Sequence, residues 1–109
     1  MLYHITTRTE AERAAANGEY EPAAFAREGF IHCSYRGQVV VVANRLFRGR
    51  PDLVLLEIDP AKLTCRVVDE NLEGGTELYP HVYGRVPTTA IVRMLSFDCG
   101  PDGRFAWTL

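Results

Sequence analysis

Three histidines, His4, His32 and His81, are the side chains of this sequence best suited to chemistry. Each stands in a segment that reads as a strand, and a neutral imidazole near its reference pKa of about 6.5 both donates and accepts hydrogen bonds. Such rings hold sugar hydroxyls or move a proton; the alternative for any one of them is a hydrogen-bonded structural residue. A metal cage would need all three to converge from separate strands with no HxxxH or HxH spacing to force it, so no metal is expected. Cys33 adjoins His32, but neighbours on a strand face opposite ways, which keeps that ring off the thiol. Phe30, His32 and Ser34 fall on one face of Gly29–Ser34, with Ile31 and Cys33 on the other. Ser34 is also placed to cap the helix that follows, and a helix start presents N–H groups to an anion. Glu70 and Glu77 flank Gly74-Gly75; solvated surface is their ordinary role, and a hydroxyl acceptor beside a ligand ribose is the other.

Eleven of the twelve basic residues are arginine, and Arg36, Arg45, Arg48 and Arg50 stand between Gly29 and Pro51 with no Asp or Glu among them. The planar guanidinium fork suits phosphate and carboxylate, so the stretch is either a solvated helix face or the place where a small ligand's anionic group binds.

These residues need elements to hold them. Leu2–Thr6 alternates as a strand, with Leu2, His4 and Thr6 on one face and Tyr3 and Ile5 on the other. Thr9 and Glu12 have capping-box spacing, and Asn17-Gly18 supplies a left-handed stop, which predicts a helix over 10–17 with Ala11, Ala14 and Ala15 on one side. One helical turn is expected within 22–27. Val39, Val42, Ala43 and Leu46 keep helical spacing within 38–47, although four consecutive valines also suit a strand. Leu53–Ile58 is a nearly unbroken apolar run closed by Asp59-Pro60, the pattern of a central strand buried on both faces. A strand over 63–68 and a loop over 69–76 follow. The segment 77–83 then alternates, grouping Glu77, Tyr79, His81 and Tyr83, and Pro80 predicts an edge or irregular strand there. Segments 90–97 and 104–108 flank Pro101-Asp102-Gly103 as a closing hairpin.

About six short strands and two or three helices in 109 residues predict one α+β domain over 1–109. With 47% hydrophobic and 24% charged residues the chain can bury a core. A net charge of −2 argues against general nucleic-acid binding. No apolar run reaches the roughly 18 residues of a membrane helix and no signal-peptide pattern opens the chain, so a cytoplasmic location away from membranes is expected. Three widely spaced cysteines point to reduced thiols. Dinucleotide-binding GxGxxG, phosphate-loop, GxSxG and HExxH motifs are all missing from the sequence. Oligomeric state is not legible at this level.

The blocks Gly29-Phe30-Ile31-His32-Cys33-Ser34, then Gln38, Leu53-Val54-Leu55-Leu56, Glu70, and Tyr79-Pro80-His81-Val82-Tyr83-Gly84, taken in order, resemble the domain-of-unknown-function 952 family. The likeness runs from Tyr3-His4-Ile5-Thr6 to Ala90-Ile91-Val92. The family has no established activity. What the resemblance implies is an ADP-ribosyltransferase-like fold, a split antiparallel sheet around a cleft where active relatives bind NAD. A fainter similarity links Phe30–Ser34 and Leu53–Asp59 to the RNA 2′-phosphotransferases, which share that fold and use NAD. By this likeness NAD is a substrate, or a nucleotide-like small molecule is bound without turnover. His4 stands where a first-strand histidine holds the ribose, and His32 and Ser34 line the nicotinamide side. The transferases carry a glutamate at a third position, where this chain has Tyr79 to His81, with Glu77 nearby on the same face. His4, Glu77 and His81 are thus the catalytic candidates, and His4, Thr6, His32, Ser34, His81 and Tyr83 the candidates for holding the ligand.

Overall fold

A computed structural model describes residues 1–72 and 74–107. Along the chain run β1 (Leu2–Thr7), α1 (Arg8–Asn17), β2 (Glu19–Tyr20), α2 (Phe25–Glu28), β3 (Ile31–His32), a 3₁₀ turn (Arg36–Gln38) leading into α3 (Val39–Leu46), and β4 (Leu53–Ile58). After a 3₁₀ turn at Pro60–Lys62 come β5 (Val67–Glu70), β6 (Tyr79–Val82), β7 (Val86–Pro87), a last 3₁₀ turn (Thr88–Ala90) and β8 (Ile91–Ser96). Every strand pair is antiparallel, in sheets ordered β1-β4-β8, β2-β7 and β3-β6-β5. The domain is α+β, as its alternation of patterns predicts.

β4 lies at the centre of its sheet with both faces covered. Val54, Leu56 and Ile58 enter one core with Leu2, Ala11, Ala14, Tyr20, Ile31, Cys33 and Val82. Leu53 and Leu55 enter a second with Tyr3, Val39, Ala43, Phe97 and Phe105. Burying each such aliphatic side chain contributes about 1.5–3 kcal/mol, which makes this strand the main fastening between the two cores. Glu57, the polar residue of the run, is buried as well, and it is matched: Tyr3 Oη donates to Oε2 at 2.7 Å, and Arg93 grips the carboxylate with Nε at 2.9 Å and Nη2 at 3.2 Å.

The Val39–Val42 run resolves as helix. At 3.6 residues per turn Val39, Val42 and Ala43 reach the core while Val41 is left 61% exposed; in a strand Val42 and Ala43 would point to opposite faces. Leu46, expected on that stripe, is exposed.

Several boundaries depart from expectation. α1 starts at Arg8, because the Thr7 hydroxyl, and not Thr9, accepts from Glu10 N at 3.2 Å. Ala15 is exposed; Gly18 does close the helix, at φ 81°. β5 covers Val67–Glu70, so the segment before Val67 is not strand, and Asp69 and Glu70, expected in a loop, are paired. Nor does a closing hairpin form. Residues 104–107 are not strand, and the Asn44 side chain holds them by mimicking a strand partner: Nδ2 donates to Phe105 O at 3.2 Å and Phe105 N donates to Oδ1 at 2.8 Å. Thr108 lies outside the described residues.

The largest departure concerns Pro80. β6 is the middle strand of its sheet. An antiparallel residue turns its N–H and C=O toward the same neighbour. Pro80 O accepts from Cys33 N at 3.0 Å, so the missing N–H would have faced Cys33 as well. There the chain leaves this sheet for the other: Ser34 exchanges two 2.8 Å backbone bonds with Tyr3 of β1. The proline sits where the ladder is already ending. Among the described residues no helix is long and apolar enough to cross a membrane.

Candidate functional site

Strand register decides which side chains meet. His32 on β3 lies directly opposite His81 on β6, while Val68 of β5 faces His81 from the other side and Glu70 pairs with Tyr79. With a period of two, Phe30, His32, Tyr79, His81, Tyr83 and Glu70 therefore share one face of this sheet, and Ile31, Cys33 and Val82 go to the core on the other. His32 Nδ1 is 3.1 Å from His81 Nε2, and His81 Nδ1 is 3.0 Å from Glu70 Oε1. Tyr83 Oη donates to that same carboxylate oxygen. Phe30 stacks on the His81 ring with centroids 4.2 Å apart and planes at 16°.

The partners set the protons. A carboxylate only accepts, so a neutral His81 carries its hydrogen on Nδ1 and its Nε2 accepts from His32 Nδ1–H, while His32 Nε2 is buried away from solvent. Glu70 is well kept as an anion, because the Tyr83 hydroxyl, and after it His81, holds the carboxyl below the usual carboxylate range. The same bond raises the Tyr83 phenol. Glu70, His81 and His32 thus form a carboxylate–imidazole–imidazole chain across three strands.

This chain of bonds ends at a cleft of about 510 Å³ between the β1 sheet, the β3-β6-β5 sheet and α3. His4, His32, Ser34 and His81 all line it, with Phe30, Glu28 and an apolar wall that includes Val42, Leu46 and Phe47. That volume lies in the range of small-molecule sites, roughly 300–1,000 Å³, and the mixture of an apolar wall with a few convergent polar groups is their usual make-up.

His4 is tied down more tightly than the sequence suggests. Its Nδ1 lies 2.7 Å from the backbone oxygen of His32 and its Nε2 lies 2.7 Å from Tyr20 Oη, which is in turn 2.9 Å from Thr6 Oγ1. Burial lowers its pKa to about 4, so the ring is neutral, donates from Nδ1 to the His32 carbonyl and accepts at Nε2 from Tyr20. Thr6 belongs to this network and to a shallower extension of the cleft. Ser34 lines the cleft but caps no helix: Tyr35 precedes the 3₁₀ turn, its N–H donating to Gln38 Oε1 at 3.0 Å, and Ser34's backbone is paired with Tyr3. Tyr83 is not among the lining residues and meets the site through Glu70 and through the Phe30 ring, whose centroid lies 5.7 Å from its own. Glu77 is held elsewhere: its carboxylate accepts from Gln38 Nε2 at 3.0 Å, and it is not among the lining residues.

Cys33 is 0% exposed, and burial pushes its thiol up to about 12, which fits its place in the core. All three cysteines are free thiols. Among the described residues no three His, Cys, Asp or Glu side chains are grouped to hold a metal ion; His4 is held by the His32 carbonyl and Tyr20, and His81 lies between His32 and Glu70.

Sequence reasoning leaves Glu70 between solvated surface and a hydroxyl acceptor beside a ribose, and only its register opposite Tyr79 brings it to His81; it passes over two other participants, Tyr20 and Glu28. Tyr20 carries no motif signal. Glu28 closes a four-residue helix and lines the cleft from a segment without periodicity.

Residues 5–94 match a protein family described only as a protein of unknown function, DUF952. Three solved structures of one protein, CC0527 from Caulobacter crescentus, are also similar. Its crystal structure is 32% identical with a TM-score of 0.85, covering 96% of this chain and 92% of that one. A double mutant gives 31% and 0.84 over the same shares, and the solution NMR structure gives 32% and 0.76, covering 94% and 89%. No curated protein matches.

Proposed function

The chain belongs to the DUF952 family of proteins of unknown function, and from that premise we propose that its cleft takes a nucleotide-like small molecule, NAD in the first instance, and moves a proton during transfer or hydrolysis at the ribose. The observation that carries this reading is the Glu70–His81–His32 chain, whose two imidazoles line the cleft. A fixed carboxylate sets the tautomer of the first ring and steadies the positive charge it acquires, so that the pair serves as a general base. An ADP-ribosyltransferase-like arrangement of the sheets around the ligand belongs to the same proposal.

In this reading water or an acceptor hydroxyl attacks the anomeric carbon of the nicotinamide riboside. A new C–O bond forms, and the C–N bond breaks with its electron pair neutralising the nicotinamide ring. The attacking oxygen's proton is taken up by the histidine pair on the cleft wall, whose charge Glu70 balances. His4 acts by position: its hydrogen bond to the His32 carbonyl sets where the His32 ring stands. Ser34 supplies a hydroxyl on the same wall. Glu77, held by Gln38, has no part in the step.

Incubation with NAD tests this. Nicotinamide release is expected, and Glu70→Gln and His81→Asn should each slow it by about 10²-fold or more, the usual size of a lost general base. Release no faster than a boiled control removes the catalytic reading. A second reading, binding without turnover, is favoured by the absence of a glutamate at the third position of the transferase pattern; it predicts a rise in Tm with NAD or ADP-ribose and no release.

A further inference from the structure

We propose that Arg50 is the anion-binding end of the cleft, so that the ligand is a phosphorylated sugar or nucleotide with its reacting end at the histidines and its phosphate at Arg50. This rests on the function proposed above and names the class of molecule it requires. The shallower extension, about 240 Å³, shares His4, Phe30, His32 and Phe47 with the main cleft, so the two form one continuous surface. Arg50 lines the extension, and no other lysine or arginine among the described residues lines either part.

Its guanidinium lies over the Phe47 ring, 5.4 Å from the centroid, and Phe47 itself lines both parts. Ring stacking of this kind orients the planar fork before any ligand arrives. Among the described residues no carboxylate forms an ion pair with Arg50, whereas Arg8, Arg13 and Arg93 each have one and Arg85 has two. Of the arginine-rich stretch, Arg36 is drawn away over Trp107, and neither it nor Arg48 lines the cleft.

The backbone that carries Arg50 is fixed independently of its side chain. Arg50 N donates to Phe47 O at 2.9 Å, and Gly49 N donates to Gly103 O at 2.9 Å. Two residues on, Asp52 adopts φ 60° and its carbonyl accepts from Arg8 N at 3.1 Å. The turn is pinned at both ends, so the guanidinium is presented on a rigid support. Glu28 lines both the cleft and its extension and accepts from ligand hydroxyls, so among the described lining residues Arg50 is the one that attracts a phosphate.

The test compares matched ligands: nicotinamide mononucleotide against nicotinamide riboside, and AMP against adenosine, by calorimetry on the wild-type protein, Arg50→Gln and Arg48→Gln. Arg50 is exposed, so its variant should fold. The phosphorylated member is expected to bind at least tenfold tighter, the preference disappearing in Arg50→Gln, persisting in Arg48→Gln and weakening with added salt. Equal binding of the two members, or a preference that survives Arg50→Gln, overturns the assignment. If none of the four binds, the nucleotide reading fails, and pyrophosphate then decides Arg50 alone: thermal stabilisation lost in Arg50→Gln upholds an anion site, and no stabilisation of the wild type overturns it.

Discussion

His4 is held neutral by burial, and this has a consequence for stability. Its folded pKa of about 4 lies below the ordinary value of 6.5, so between those pH values the unfolded chain takes up a proton that the folded chain refuses. The stabilisation is complete above pH 6.5 and lost as pH falls toward 4. At about 1.4 kcal/mol per pKa unit it amounts to at most about 3.5 kcal/mol. Urea unfolding at a series of pH values should show this slope, and His4→Gln should flatten it in that window whatever the variant's overall stability; equal slopes would mean that His4 is solvated. Gly84 makes a second residue-level case. A Cβ there would lie 2.6 Å from Cys65 Cβ and 2.9 Å from its sulfur, so the glycine that ends the Pro80–Gly84 block is required by close packing. Gly84→Ala should cost about 1–3 kcal/mol, the range for overpacking, read as a lowered denaturation midpoint at unchanged m.

At the scale of elements, the chemistry depends on strands that change partners. Residues 31–34 pass from the sheet of β6 to that of β1, and this crossing puts His32 against His81 on one side and its carbonyl against His4 on the other. Pro80 marks the crossing, since a residue without an N–H is harmless where the ladder stops. Among the described residues after β8 there is no strand, and the Asn44 amide holds Phe105 in place. Asn44→Ala removes both bonds to Phe105 and exposes Phe105 and its stacked partner Phe97, 4.9 Å away. A loss of about 1–3 kcal/mol is expected, with hydrogen exchange of the Phe105 amide accelerated more than that of β4 amides. Equal acceleration at both places would show that the segment does not open separately.

For the molecule as a whole, the cleft is the junction of two sheets and a helix, so a ligand that fills it touches elements that otherwise meet through few contacts. Binding to the folded state at a hundred times Kd adds about 2.7 kcal/mol. The increase should appear as slower exchange in β1, β3 and α3 together. Protection confined to one of them would place the ligand elsewhere.

Most of the strands and the helices that flank them were legible because their signals are local, whereas the two-residue strands β2 and β7 carry none. The apolar run Leu53–Ile58, the helical spacing of Val39, Val42 and Ala43, and the alternation around His4, His32 and His81 follow from backbone periodicity, and the resemblance to DUF952 rests on blocks within those same segments. That His4, His32, Ser34 and His81 share one cleft was an expectation that the fold meets. Which atoms they face was not legible. The order of bonds from Glu70 through His81 to His32, the tethering of His4 by Tyr20, the removal of Glu77 to Gln38 and the position of Arg50 at the far end all depend on register between strands distant in sequence. A shift of one residue would send every side chain of a strand to its opposite face, and only packing of the assembled cores selects among the registers that the local pattern allows.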